Sequence, residues 1–231
     1  MSRFRYRVAC LTHGGEEPLA ETLESFEEWV TPAPLDWIIA QDGPGYWTIP
    51  EHFSGYAGQP WAGQVGFCEA TRRLWQMASK SREINYGERG QAFFIPDPPE
   101  FIFWLEHDFI FTRALDLGPL AQALTADPTL AQMALMRTPV NEQELRAGGL
   151  YESRPGEYTQ EDSFLRQRSY FTTNPSLMTT AFMRENPWPV YPEECEGRFG
   201  LDLVEHGYSF GVWGSGEPWC EHIGTRTGHG Y

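Results

Sequence analysis

Apolar residues in this chain follow two different periods, and the period changes from segment to segment. RYRVACLTHGG is a nearly continuous apolar run that breaks at Thr12-His13-Gly14-Gly15, which predicts a buried strand over about residues 5 to 11. PLAETLESFEEWV then spaces Leu19, Leu23, Phe26 and Val30 as one face of a helix. LDWIIAQDGPG repeats the strand and closes on the turn formers Asp42-Gly43-Pro44, so the first two strands are expected to be parallel neighbours. Residues 44 to 65, rich in Gly, Pro and aromatics, read as a loop. Phe67, Ala70, Leu74 and Met77 mark a second helix, whereas SREINYGERGQAFFIPDPP shows no period that assigns it. FIFWLEHD is the next strand, LGPLAQALTADPTL a helix and AQMALMRTPV a strand. Alternation of this kind predicts an α/β domain with a largely parallel central sheet.

From 141 to 170 the chain turns polar (NEQELRAGGLYESRPGEYTQEDSFLRQR), longer than an ordinary connection, and is expected to be a flap or mobile segment. FTTNPSLMTTAFM reads as strand, turn and helix start. RFGLDLVEHGYSFGVWG predicts a helix through Phe199, Leu203 and Val204, closed by Gly207, and then a strand. The tail WCEHIGTRTGHGY has no helical pattern. No internal repeat or low-complexity segment interrupts this order.

Composition narrows the class. A chain of 231 residues suits one α/β domain, and 41% hydrophobic with 15% aromatic residues supplies a core and argues against disorder. Seventeen Lys+Arg against 32 Asp+Glu give a net charge of -15, which repels phosphate backbones and anionic membrane surfaces. Cys10, Cys68, Cys195 and Cys220 stand far apart without a CxxC spacing, so reduced thiols are expected rather than a zinc knuckle or disulfide scaffold. The opening MSRFRYRVACLTHGG has no signal-peptide apolar region, and no run is long enough to span a bilayer. A soluble, cytoplasmic protein is the expectation.

The chemistry concentrates in FIFWLEHDFIF. If the strand continues through it, Glu106 and Asp108 share one face and His107 points away. Two carboxylates in a low-dielectric site require a cation or hydrogen-bond donors, and a hard divalent ion fits carboxylate oxygen. The competing reading ends the strand at Leu105 and leaves Glu-His-Asp as an exposed turn. Position favours a site: ligands of open α/β sheets sit beyond the carboxyl ends of strands, where this chain carries Thr12-His13-Gly14, Gln41-Asp42-Gly43 and Glu106-His107-Asp108. Asp42 suits the donors of a ribose or base, and equally an ordinary Asx turn.

THGG after the first strand, QDG after the second, the GFCEATRR helix, the strand ending in EHD, NPSLM, ECEGRFGLDLVEHGYSF and the final HIG occur in an order that resembles the GT-A glycosyltransferases, especially family-2-like members. The resemblance spans almost the whole chain, and the EHIG ending and compact size are similar to small phage-encoded enzymes of this type. It implies one GT-A domain over 1–231, with a nucleotide-binding half at about 1–110 and an acceptor-binding half at about 111–231. EHD stands where the family has Asp-x-Asp: Asp108 would bind a divalent metal, and Glu106 would reach ribose or sugar hydroxyls. Thr12 and Asp42 would line the nucleoside pocket, with Arg72 or Arg73 near the nucleotide. His222 matches a C-terminal histidine that completes the metal site, and His229 is a weaker candidate. Carboxylate, imidazole and phosphate ligands suit Mn²⁺ or Mg²⁺, with nitrogen favouring manganese.

The same resemblance puts Glu196 on the second position of the acidic pair that supplies the general base of inverting members. Cys195 occupies the first position, Glu194 is close enough to substitute for it, and Asp202 stands behind. A base must reach the acceptor hydroxyl by hydrogen bond; the plain alternative is an acidic helix N-terminus favoured by the dipole. Arg146, Arg154, Arg166 and Arg168 would close the flap over the donor, and Trp188, Trp213 and Trp219 could stack on sugar or base. The implied reaction moves a sugar from a nucleotide-sugar donor, UDP-linked by preference, to a hydroxyl of a modified DNA base, a protein or a small molecule. A metal-dependent phosphohydrolase or nuclease, and a non-catalytic nucleotide-sugar-binding module, remain the alternatives.

Overall fold

The structure, a computed structural model, describes residues 4–13, 16–43, 55–58, 63–86, 91–138, 158–191, 193–214 and 218–224. A nine-stranded sheet runs in the order β12 (Tyr158–Gln160), β13 (Phe164–Gln167), β15 (Ser209–Trp213), β10 (Leu130–Leu135), β14 (Ser176–Thr179), β7 (Phe101–Glu106), β1 (Tyr6–Thr12), β3 (Asp36–Gln41) and β4 (Gly55–Gly58). β7, β1 and β3 pair in parallel, as the repeated strand-helix pattern implies, and β4, which falls within the segment 44–65 expected to be a loop, extends this parallel block beside β3. β14 is antiparallel to both β7 and β10, and β10 is parallel to β15. The sheet is therefore mixed, with its parallel block at one side. Small pairings surround it: β2 (Val30–Thr31) with β9 (Leu115–Asp116), β5 (Arg82–Tyr86) with β6 (Gln91–Ile95), and a three-stranded sheet of β11 (Arg137–Thr138), β16 (Cys220–His222) and β8 (Phe109–Phe111).

Alternation along the central strands explains the layers. Tyr6, Val8 and Cys10 of β1 share a cluster with Phe101, Phe103 and Leu105 of β7, and with α1 (Glu16–Trp29) and α3 (Gly118–Ala126). Ala9, Leu11, Ile102 and Trp104 face the other way, onto α2 (Phe67–Ser79), α4 (Thr180–Glu185) and α5 (Cys195–Glu205). Trp75 at the centre of that second layer packs against Trp104, Phe171, Phe182, Trp188 and Phe199. Trp188 is thus a core residue, not a stacking platform for sugar.

Three expectations change. The unassigned segment holds the antiparallel β5–β6 pair. Residues 158–167, expected within the flap, form the sheet-edge strands β12 and β13, where Arg166 is tied to Glu161, Asp127 and Ser209. Arg146 and Arg154 lie outside the described residues, and Arg168 follows directly after β13. The tail contributes β16, a strand of three residues sustained by neighbours on both sides. All four cysteines are free.

Candidate functional site

The parallel strands deliver polar groups to one edge, and backbone hydrogen bonds carry the pairing past the strand ends. Asp42 N–H donates to Thr12 O at 2.7 Å, and His107 N–H to Leu11 O at 3.1 Å. Thr12 and Asp42 come together there, both buried. Asp42 Oδ1 accepts the Val65 amide at 2.6 Å, so this carboxylate pins the approach to α2. Gln64 beside it contacts His13 Nε2 at 3.3 Å.

The EHD segment follows neither sequence reading fully. β7 ends at Glu106, His107 and Asp108 form a turn, and the chain returns as β8. The expectation that Glu106 and Asp108 lie on one face of a continuing strand is therefore corrected. The turn is nonetheless buried, with Glu106 9%, His107 7% and Asp108 6% exposed. Thr22 Oγ1 of α1 donates to His107 O at 2.7 Å and fixes the turn from below.

The turn meets the tail through β8 and β16. His222 pairs in register with Phe109, Ile223 N–H donates to Asp108 O at 2.8 Å, and His222 Nε2 lies 3.1 Å from Asp108 Oδ2. The Asp108 Oδ1 atom is buried without a hydrogen-bond partner. Gly224 closes the cradle: a Cβ there would lie 1.9 Å from Asp108 Oδ2, so no other residue fits against the carboxylate without displacing it.

Charge is concentrated at this edge. Burial alone would raise the Asp108 carboxyl, but the hydrogen bond from His222 and the proximity of His107 hold it below the usual aspartate range. Burial pushes the His107 imidazole down, against the opposing pull of Asp108. Burial also pushes the Cys10 thiol up, and the nearby Glu106 and Asp108 push it further.

Could these residues hold a divalent ion? A buried carboxylate oxygen lacking a partner, an adjacent imidazole nitrogen and a glycine that leaves the space open form a fitting N/O donor pair. Among the described residues no group of three His, Cys, Asp or Glu side chains forms a closed metal cluster. An ion here would take its remaining ligands from a ligand or solvent.

Glu196 sits on the first turn of α5. Its Oε1 accepts both the Thr173 amide, at 2.6 Å, and Thr173 Oγ1, at 2.7 Å. Thr173 lies in the chain entering β14, whose antiparallel course brings it to the same edge as Glu106: Ser176 is in register with Trp104. Glu194, the residue before the helix, takes the left-handed conformation (φ 51°) and stands exposed. Cys195 is buried in the apolar cluster. The position expected for a first acid is thus a core thiol.

Other candidates are not brought together. Asp202 lies six residues beyond Glu196, about 120° around the helix, where it is exposed and bonded to Tyr191 Oη. Arg72 and Arg73 both bind Glu69, each at 2.6 Å, and their hydrogen bonds draw the Glu69 carboxyl down to about 2. Trp213 and Trp219 are half-buried, the Trp219 Nε1–H donating to Trp213 O and the Arg113 guanidinium lying over its ring. His229 lies outside the described residues. Thr173 carries no local sequence signal and Gly224 none beyond the HIG ending, because each acts through a contact distant in the chain.

Neither family models nor curated proteins return a match to this sequence. Solved structures do. The chain is similar to GalNAc-T7, solved with UDP, GalNAc and Mn²⁺ (TM-score 0.61, 10% identity, 100% of this chain, 46% of that one). It is also similar to the mannosyltransferase PcManGT of Pyrobaculum calidifontis, in complex with GDP-Man and Mn²⁺ (TM-score 0.57, 12% identity, 98% and 59%). S. aureus TarS 1–349 aligns with a TM-score of 0.56 at 13% identity, over 95% of this chain and 60% of that one. The chain spans about half the length of these structures. At such identities the likeness is one of fold: the molecule has the α/β architecture of the GT-A glycosyltransferases.

Proposed function

We propose that this protein is a metal-dependent glycosyltransferase that moves a sugar from a nucleotide-sugar donor to a hydroxyl acceptor with inversion. The observation that carries the reading is the Asp108–His222 pair at the carboxyl edge of the parallel strands, with Oδ2 against His222 and Gly224 and Oδ1 buried without a partner. The Mn²⁺ found in two proteins of similar fold, with UDP and GalNAc in one and GDP-Man in the other, supports it.

Asp108 and His222 would hold a divalent cation, Mn²⁺ by preference for mixed O/N ligands and Mg²⁺ as the alternative. Such an ion supplies charge neutralisation for a departing nucleoside diphosphate. Thr12 and Asp42 would form the nucleoside side of the pocket, Asp42 by keeping the approach to α2 against the strand end. Glu106 would accept hydroxyl donors of ribose or sugar. Arg72 and Arg73 stay on the nucleotide side, where a diphosphate would compete with Glu69 for them. Glu196 would take the proton of the acceptor hydroxyl as the oxygen attacks the anomeric carbon opposite the leaving group. Asp202, committed to Tyr191, has no part in this reading. The net charge of -15 favours protein or small-molecule hydroxyls over DNA as acceptor. Among the described residues no helix is long and apolar enough to cross a membrane.

The test is a thermal-shift titration with Mn²⁺ and each of UDP-glucose, UDP-N-acetylglucosamine and GDP-mannose, followed by assay of nucleoside diphosphate release. A shift requiring both metal and donor, with release, is expected. A shift without release under any acceptor, cell extract included, would make the protein a binding module. Attack on the phosphates themselves would make it a hydrolase.

A further inference from the structure

Glu196 is useful as a base only if its carboxylate is held still, and the structure contains a buried device that does this. β10 pairs with β15 through a register shift between Leu130 and Gln132. The shift has a visible consequence. Leu130, Met133 and Leu135 belong to the α1 layer while Ala131 belongs to the α5 layer, which plain alternation from Met133 would forbid. Directly after the irregularity the fully buried Gln132, on the face opposite Met133, reaches the chain entering β14.

There the Gln132 amide binds Thr172 as a strand neighbour would. Nε2 donates to Thr172 O at 2.9 Å and to Ser176 Oγ at 3.1 Å, and Oε1 accepts Thr172 N–H at 3.0 Å. Thr172 Oγ1 accepts the Asn174 amide at 3.2 Å, and Pro175 O accepts the Leu135 amide at 2.8 Å. The segment 172–175 is fixed at both ends. Thr173, 5% exposed in its middle, presents two donors to one oxygen of Glu196. α5 presses on the chain just before this segment, since a Cβ on Gly200 would lie 2.8 Å from Phe171 N.

We propose that Thr173, held by Gln132 through Thr172, is a positioning residue that fixes Glu196 Oε1 and leaves Oε2 to take the acceptor's proton. This rests on the glycosyltransferase reading above and adds a residue set to it. A carboxylate gripped at one oxygen by two donors from a clamped backbone loses rotational freedom that an exposed glutamate would keep, and displacement by about 1 Å can cost about a hundredfold in rate.

The experiment compares wild type with Glu196→Gln, Thr173→Val, Thr173→Ser and Gln132→Met. It measures kcat and donor KM for nucleoside diphosphate release from whichever of UDP-glucose, UDP-N-acetylglucosamine and GDP-mannose is turned over, with cell extract as acceptor source. Melting temperature and the Mn²⁺-dependent donor shift are recorded for every variant. Loss of the base should lower kcat by about a hundredfold or more. Thr173→Val and Gln132→Met should lower it by about tenfold or more with donor KM and donor shift unchanged, and Thr173→Ser, which keeps the hydroxyl, should restore it to within about threefold. A Thr173→Val rate within twofold of wild type while Glu196→Gln fails would overturn the positioning role. So would equal losses in Val and Ser variants accompanied by a raised donor KM, which mark simple damage to the loop. An unimpaired Glu196→Gln, or a wild type that releases nothing, sinks the underlying reading and this inference with it.

Discussion

The same parallel strands end in two unlike edges. At the amino end, Arg7 of β1 stands in register with Asp36 of β3, and its guanidinium grips both carboxylate oxygens at 2.6 and 2.7 Å. Its further contacts go to Ala78 O and Pro96 O, so a fully buried charge is answered within the chain. At the carboxyl end, Glu106, His107 and Asp108 are buried to a similar degree, yet Asp108 Oδ1 and His107 Nδ1 meet no partner. Buried charge that is completed internally holds a fold together; buried charge left incomplete is what a ligand can complete.

The largest expected effect breaks the first edge. Asp36→Ala strands the Arg7 guanidinium and should cost about 3–5 kcal/mol, read as a drop in Tm of about 10 °C. Joint replacement by Arg7→Met and Asp36→Leu should recover most of it; a single variant costing under about 1 kcal/mol would show that the two edges do not differ in this way. Next in size, Asp108→Asn should leave unliganded stability within about 1 kcal/mol of wild type. It should remove the stabilisation that donor plus Mn²⁺ provides, about 2.7 kcal/mol at a hundredfold excess over Kd. Persistence of that shift in calorimetry would contradict the assignment of Asp108.

Gly224→Ala sharpens the comparison further, because its methyl must displace the Asp108 carboxylate. A cost of about 2 kcal/mol in urea unfolding, together with weakened Mn²⁺ response, is expected. Full retention of both would refute the cradle. The smallest effect concerns Glu69, whose folded carboxyl is drawn to about 2, chiefly by the hydrogen bond from Arg72. The folded value lies below the unfolded one, so its contribution is complete above about pH 5 and is lost as pH falls toward about 2. Partial exposure keeps it under about 0.5 kcal/mol. The urea midpoint should therefore fall less between pH 6 and 3 in Glu69→Gln than in wild type, and identical slopes would exclude the linkage.

Legibility in the sequence followed the range of the forces. β1, β3 and β7 were readable because both faces are buried and the apolar runs are continuous; α2 and α5 because one face is apolar at helical spacing. β12 and β13 hid in a polar segment, since edge strands need little apolar sequence and Arg166 is answered by residues far along the chain. β16 was invisible, because three residues become a strand only when β8 and β11 lie on either side. Among the candidate residues, Thr12, Asp42, Glu106 and Asp108 were marked by their places after predicted strands. The separation of Asp202 from Glu196 followed from helical geometry once α5 was known, but the Glu69 bonds that occupy Arg72 and Arg73 depend on which i,i+3 and i,i+4 contacts form.

By itself the sequence determined the layered α/β order and the edge at which polar groups collect, because local period and burial preference act within a few residues of each position. Asp108 and His222 were joined beforehand only by family resemblance; the tertiary structure decided that they make contact across more than a hundred residues, that Gly224 leaves room for the carboxylate, and that Thr173 holds Glu196. Such contacts depend on strand order and register, which no local pattern encodes.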